Sequence, residues 1–245
     1  IFDGMLLRNM YQGLCMLNWH IANGKHIHII ADPDVDGSMS FAVMYQYIKK
    51  LNPNINITFS MNDGKKHGII KKCLEEYLED DMLIIAPDCG TNDREEVEKI
   101  LDKYDLDILT LDHHQYEDSR IDNLNDDRVA LINNQDGSYP NPTLSGVGVV
   151  YKFIKEYDKI SKNNYADDLL DLVSIGLIGD GMDLRNYETR RIVDKGLANI
   201  NNKFIQEILM SRDYSKPSSF EEMDKSDINI KKIAWQVAPL INGVI

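Results

Sequence analysis

The chain has 245 residues, 43% of them hydrophobic and 27% charged, with a net charge of −13. That length and balance specify one large α/β domain or two small ones around a sizeable core, and they exclude an intrinsically disordered chain. No apolar run nears the roughly 18 residues that cross a bilayer, and the acidic balance argues against a general polyanion binder built on Lys and Arg without excluding one, since it suits a carboxylate cluster whose metal ions can attract the anion.

In chain order, "HIHIIA" (26–31) is a short β-branched run, followed by "GSMSFAVMYQYIKKL" (37–51) with helical apolar spacing. "INITFS" (55–60) is a second predicted strand. The helical "GIIKKCLEEYLE" leads to a third, "MLIIAP" (82–87), which "REEVEKILDKY" follows. "DILTLD" (107–112) is the fourth. Continuous apolar strands separated by amphipathic helices predict an α/β fold, a mostly parallel sheet covered by helices on both faces. Residues 133–143, "NNQDGSYPNPT", are a loop by their Asn, Gly and Pro content. Beyond it the chain reads as helical: "SGVGVVYKFIKEY", "YADDLLDLVSIGLIG", "TRRIVDKGLANIN" and "NKFIQEILM". The polar stretch 211–227 offers one short helix start at "SFEEM". The first residue is Ile1 and the last phrase is the apolar "APLINGVI", so both ends read as cut from a longer protein.

In an open parallel sheet, ligands bind beyond the carboxyl ends of the strands. After the first run come Asp32, Asp34 and Asp36; after the third, Asp88; after the fourth, Asp112, His113 and His114. Asp180 ends an apolar helical run and is placed to reach the same edge. Aspartates crowded in this way raise each other's pKa unless cations compensate them. Oxygen ligands with one or two imidazoles suit Mn²⁺ or Mg²⁺ better than zinc. A pair of such ions can activate water and stabilise an in-line attack on phosphorus. Alone, "DPDVDG" reads equally as an acidic turn; it is no EF-hand loop, because the closing Glu is missing. The joint placement at three strand ends is what favours a metal site.

"LSGVGVVYKF" (144–153) puts Ser145 and Gly146 at a helix start, where free N–H groups favour an anion. The alternative is an N-cap serine with glycines admitting close packing. His26 and His28 alternate within the first strand and so face one side of the sheet, packed or hydrogen-bonded there. His20 and His67 read as surface residues, and Cys89 as small packing. Cys15, Cys73 and Cys89 share no ligand or disulfide spacing, which suits a reducing cytoplasm.

With these residues in place, the chain resembles the DHH phosphoesterase superfamily. "DPDVDG", "APDCGT", "LDHHQ" and "LIGDGMDL" look like its four motifs in order. The likeness extends to the RecJ-type single-strand-specific exonucleases through "INNQDGSYPNPTLSGVGVVYKF", "YETRRIVDKGL" and "DINIKKIAWQVAPLING". It implies a two-metal phosphodiesterase using Mn²⁺ or Mg²⁺, with Asp34, Asp36, Asp88, His113 and Asp180 as ligands and Asp88 as the bridge. Asp32 would be a further ligand or a supporting group. His114 would face the substrate phosphate or assist proton transfer, and Asp112 would orient the histidines. Ser145 and Gly146 would hold a neighbouring phosphate, assisted by Arg190 or Arg191. Some superfamily members carry a histidine where this chain has Ile30, and Asp183 is an extra carboxylate in the fourth motif.

The resemblance divides the chain into a catalytic domain (1–185) and a helical extension (186–245) leading to a second domain outside these residues. The activity it implies is 5′→3′ hydrolysis of single-stranded DNA in DNA repair or recombination, in the cytoplasm, with single-strand-binding protein as a partner and no membrane. The alternatives are a relative acting on cyclic dinucleotides or very short oligonucleotides, and a catalytically silent replication or repair scaffold.

Overall fold

A computed structural model describes residues 1–61, 67–213, 215 and 217–243. Tyr214 and Lys216 of the polar stretch, and Val244 and Ile245 of the final apolar phrase, lie outside the described residues.

Among the described residues, five strands form the sheet: β1 (Ile27–Ala31), β2 (Ile57–Met61), β3 (Leu83–Pro87), β4 (Asp107–Asp112) and β5 (Val129–Asn133). Their spatial order is β2-β1-β3-β4-β5 and every pairing is parallel. β1, β3 and β5 are buried along their whole length, whereas the edge strand β2 is only partly covered. That is the burial expected of a parallel sheet between two helical layers. β5 was not among the expected strands. Its apolar run is four residues long and sits against the polar loop that follows.

The helices flanking the sheet are α1 (Met10–Ala22), α2 (Val35–Leu51), α3 (Lys71–Leu74), α4 (Arg94–Leu101), α5 (Gly146–Ser161), α6 (Leu170–Gly179), α7 (Tyr187–Leu197) and α8 (Lys203–Ser211). A last helical run covers Ile230–Lys232, a π-helical stretch Ile233–Val237 and Ala238–Asn242. α2 starts two residues earlier than its apolar spacing predicts. Asp34 caps it, Oδ1 accepting from the Gly37 N–H at 2.8 Å. The expected helix over 68–79 shrinks to α3, and the "SFEEM" start is a 3₁₀ turn at Phe220–Glu222.

The larger core joins α1, α2, α5 and α6 to one sheet face and takes in Ile192, Ile205, Leu209, Val237 and Ile241 from the C-terminal helices. The smaller core, with Ile84, Val97, Ile100 and Ile108, packs α4 on the other face. Beside the larger core lies a buried ion pair, Lys152 Nζ to Glu188 Oε1 at 3.2 Å. Glu188 also accepts from the Tyr139 hydroxyl at 2.8 Å, Asn141 Nδ2 at 3.0 Å and the Phe2 N–H at 2.9 Å.

Candidate metal centre

The sheet reverses its order between β1 and β3, and the carboxyl ends of these strands and β4 carry the acidic motifs. Asp32 follows β1, Asp88 follows β3, and Asp112 ends β4 with His113 and His114 beyond it. α2 brings in Asp34 at its cap and Asp36 in its first turn. Asp180 caps the end of α6. Among the described residues, three overlapping sets of side chains each offer ligand atoms within 4.8 Å of one another: Asp36, His113 and Asp180; Asp32, Asp34 and Asp88; and Asp88, His113 and His114.

Individual carboxylate oxygens separate two kinds of aspartate. Asp112 is saturated. Its Oδ1 accepts from His114 Nδ1 and the His113 N–H, both at 2.7 Å, and its Oδ2 accepts from the Thr91 hydroxyl at 2.6 Å and the Thr91 N–H at 3.0 Å. Burial alone would raise its pKa, but the His114 and Thr91 contacts prevail and hold it down at about 2. It orients the histidine loop and has no oxygen to spare.

Asp36, Asp88 and Asp32 are different. Asp36 Oδ2, Asp88 Oδ1 and Asp32 Oδ1 are buried without a hydrogen-bond partner among the described residues. A buried, unpaired carboxylate oxygen is costly unless something cationic meets it. His113 Nε2 stands 3.3 Å from Asp88 Oδ1, 3.9 Å from Asp36 Oδ2 and 3.7 Å from Asp180 Oδ2. Burial, then the charges of Asp36 and Asp112, drives the Asp88 pKa well up. Burial likewise raises Asp36, and burial with the Asp36 charge lifts Asp180 to about 6. Oxygen-rich, mutually repelling and centred on one imidazole, this set fits a hard divalent cation.

The Ser145 side chain is fully buried and its hydroxyl donates to Asp36 Oδ1 at 2.7 Å. The Val147 N–H approaches the same oxygen at 3.3 Å. The start of α5 thus meets a protein carboxylate. Gly146 is required there for room, since a Cβ would lie 2.2 Å from Asp88 Oδ1. Arg190 Nε pairs with Asp194 Oδ1 at 2.8 Å, one turn along the exposed face of α7. Asp183 belongs to a local turn, its carboxylate held at about 2 by hydrogen bonds from Arg185.

His114 stands apart from His113 in its surroundings. It is 58% exposed, and its contact with Asp112 raises its pKa to about 9. His20 is not a surface residue; it is buried, with Nε2 2.8 Å from Asp107 Oδ2. His67, also expected on the surface, reaches the site: its Nδ1 lies 2.6 Å from Asp32 Oδ2. No motif spacing signals that contact, because the two residues come from opposite ends of the α2–β2 excursion. His28 is buried with Nδ1 on Thr58 and Nε2 on Ser60 at 2.8 and 2.9 Å, and Cys89 is packed in the smaller core, as expected.

A model of the DHH family, N-terminal domain, matches residues 26–177. Over 240 residues the chain is 35% identical to a protein of Bacillus subtilis (strain 168) provisionally named SPbeta prophage-derived single-strand DNA-specific exonuclease YorK. That match covers 98% of this chain and 38% of the relative's length. The single-stranded-DNA-specific exonuclease RecJ of Thermus thermophilus is 24% identical over 110 residues, 44% of this chain and 16% of that protein. Among solved structures, exonuclease RecJ bound to manganese superposes with a TM-score of 0.79 at 18% identity, over 96% of this chain and 57% of that one. RecJ from Thermus thermophilus in complex with Mn²⁺ gives 0.73 at 17% identity, over 95% and 32%. At these identities the structural likeness is one of fold. Among the described residues no helix is long and apolar enough to cross a membrane.

Proposed function

Because the chain belongs to the DHH family, we propose that it is the catalytic core of a two-metal phosphodiesterase that hydrolyses single-stranded DNA from its 5′ end, as a RecJ-type exonuclease. One observation carries this reading: buried carboxylate oxygens without partners among the described residues, delivered by strand ends and helices to one imidazole, His113. The single-strand substrate is taken from the name of the Bacillus relative, and the direction of digestion from the family resemblance.

Asp36, His113 and Asp180 would hold one ion and Asp32, Asp34 and Asp88 the other, with Asp88 shared between them as the family resemblance implies. Bound Mn²⁺ or Mg²⁺ would neutralise the scissile phosphate and acidify a water. Around that chemistry, Asp112 fixes the His114 ring by its Nδ1 and leaves the other edge of the ring for the phosphate. Ser145 holds Asp36 by one oxygen, and Gly146 lets Asp88 approach the start of α5. Residues 1–185 carry the chemistry in this reading, and 186–245 lead towards a second domain. DNA repair or recombination in the cytoplasm, alongside single-strand-binding protein, is the setting it implies.

The test is incubation with Mn²⁺ and 5′-labelled single-stranded DNA, duplex DNA or a cyclic dinucleotide. Mononucleotide release from the single strand alone is the expected result. Preference for the cyclic dinucleotide would assign the site to small substrates. Ion binding with all three substrates intact would mark a scaffold.

A further inference from the structure

Each ion-facing carboxylate with a spare oxygen has a question attached: what holds the other one? For Asp36 the answer is on α5, where the Ser145 hydroxyl and the Val147 N–H grip Oδ1 and leave Oδ2 free. For Asp32 the same division holds with the oxygens exchanged. Oδ2 meets His67 Nδ1 at 2.6 Å, and Oδ1 is buried without a partner among the described residues.

This contact is not an ordinary surface ion pair. The Asp32 side chain is only 3% exposed, while that of His67 is 58% exposed. The imidazole therefore closes over a carboxylate that water hardly reaches, where a hydrogen bond is worth more than at the surface. The backbone that delivers His67 is itself anchored. Ile69 is buried, and its N–H donates to Asp93 Oδ2 at 2.6 Å. Gly68 turns the chain between them at φ +92°, and a Cβ there would lie 2.2 Å from Asp93 Oδ2. Only glycine fits that turn, so the position of His67 over Asp32 is built in by the fold.

We propose that His67 is a positioning residue of the metal centre, which donates Nδ1–H to Asp32 Oδ2 and so fixes Asp32 as a one-oxygen ligand, through Oδ1, of the ion shared with Asp34 and Asp88. Hydrogen-bonded partners behind ligating carboxylates are a general device for fixing their direction. His67 acts on one ion site only. The set formed by Asp36, His113 and Asp180 has its own support in Ser145.

The inference rests on the two-ion reading above, and the experiment separates the two. Mn²⁺ binding to the full chain is followed by electron paramagnetic resonance, with calorimetry for stoichiometry, in the wild type, His67→Ala, His67→Asn and His67→Gln. Loss of such a supporting partner costs roughly 10- to 100-fold in metal affinity. H67A is therefore expected to weaken one of two ions by that factor and to leave the other within about threefold. H67N, whose amide can occupy the place of Nδ1–H, restores the affinity and the wild-type spectrum; H67Q, one methylene longer, restores less. Wild-type affinity and spectrum in H67A would overturn the positioning role, as would equal weakening of both ions or rescue by Gln rather than Asn. A wild type that binds no Mn²⁺ would overturn the two-ion reading, and this inference with it.

Discussion

At the residue scale, Asp88 combines an unusual backbone with an unusual charge. It sits at φ +66°, the left-handed region that Asp and Asn tolerate better than most residues. Its amide is held by the Leu111 carbonyl at 2.8 Å. Asp88→Asn keeps that conformation and removes only the charge, which separates chemistry from folding. The expected outcome is loss of Mn²⁺ binding by at least about tenfold and loss of cleavage, with a melting temperature no lower than the wild type. Calorimetry and a thermal melt check it; retained cleavage would remove Asp88 from the centre. The carboxylates and His113 were legible in the sequence because they follow apolar strands or, for Asp180, an apolar helix. Ser145 and Arg190 were placed by local chemistry alone; a tertiary contact pairs Ser145 with Asp36, and Arg190 pairs with Asp194 on its own helix. His67 had no local signal whatever.

Element by element, strand positions were readable within two residues because parallel strands are continuous apolar runs. β5 and α1 escaped notice: the apolar run of one is four residues set between polar stretches, and the other mixes Gln, Asn and His among its apolar residues. The pairing of β1 with β2 has a pH dependence of its own. Burial, with a smaller push from His26, lowers the His28 pKa to about 4. The unfolded chain, with an ordinary histidine near 6.5, binds more protons between those values, so stability is lost as pH falls through that window. The full effect is on the order of 3 kcal/mol by about pH 4. His28→Gln keeps a hydrogen-bonding side chain towards Thr58 and Ser60 and cannot titrate. Urea unfolding at about pH 7 and about pH 5 is expected to show a smaller drop in the variant than in the wild type. Equal drops would assign the acid sensitivity elsewhere.

Over the whole molecule, the helices after residue 185 share the larger core with the sheet. Their attachment is also polar, through Glu188 on α7 and Lys152 on α5. Both side chains are at most 2% exposed, so removing one leaves an uncompensated buried charge. Lys152→Met is expected to cost about 3–5 kcal/mol in denaturant unfolding. The double variant with Glu188→Leu should recover part of that loss. A K152M protein as stable as the wild type would show that Tyr139, Asn141 and Phe2 suffice to carry the Glu188 charge.

The proposed ligand set is scattered along the chain, from residue 32 to residue 180, on pieces that meet only when the sheet has closed. That scatter has a consequence in time. A chain emerging during synthesis exposes the first acidic motif long before α6 exists to supply Asp180, and loops this long close late. Neither a nascent chain nor a proteolytic fragment that ends before α6 has both ion positions. Were the proposed activity on unpaired nucleic acid present in a half-made copy, it would be hazardous to its maker. This topology makes completeness of the fold a condition of reactivity.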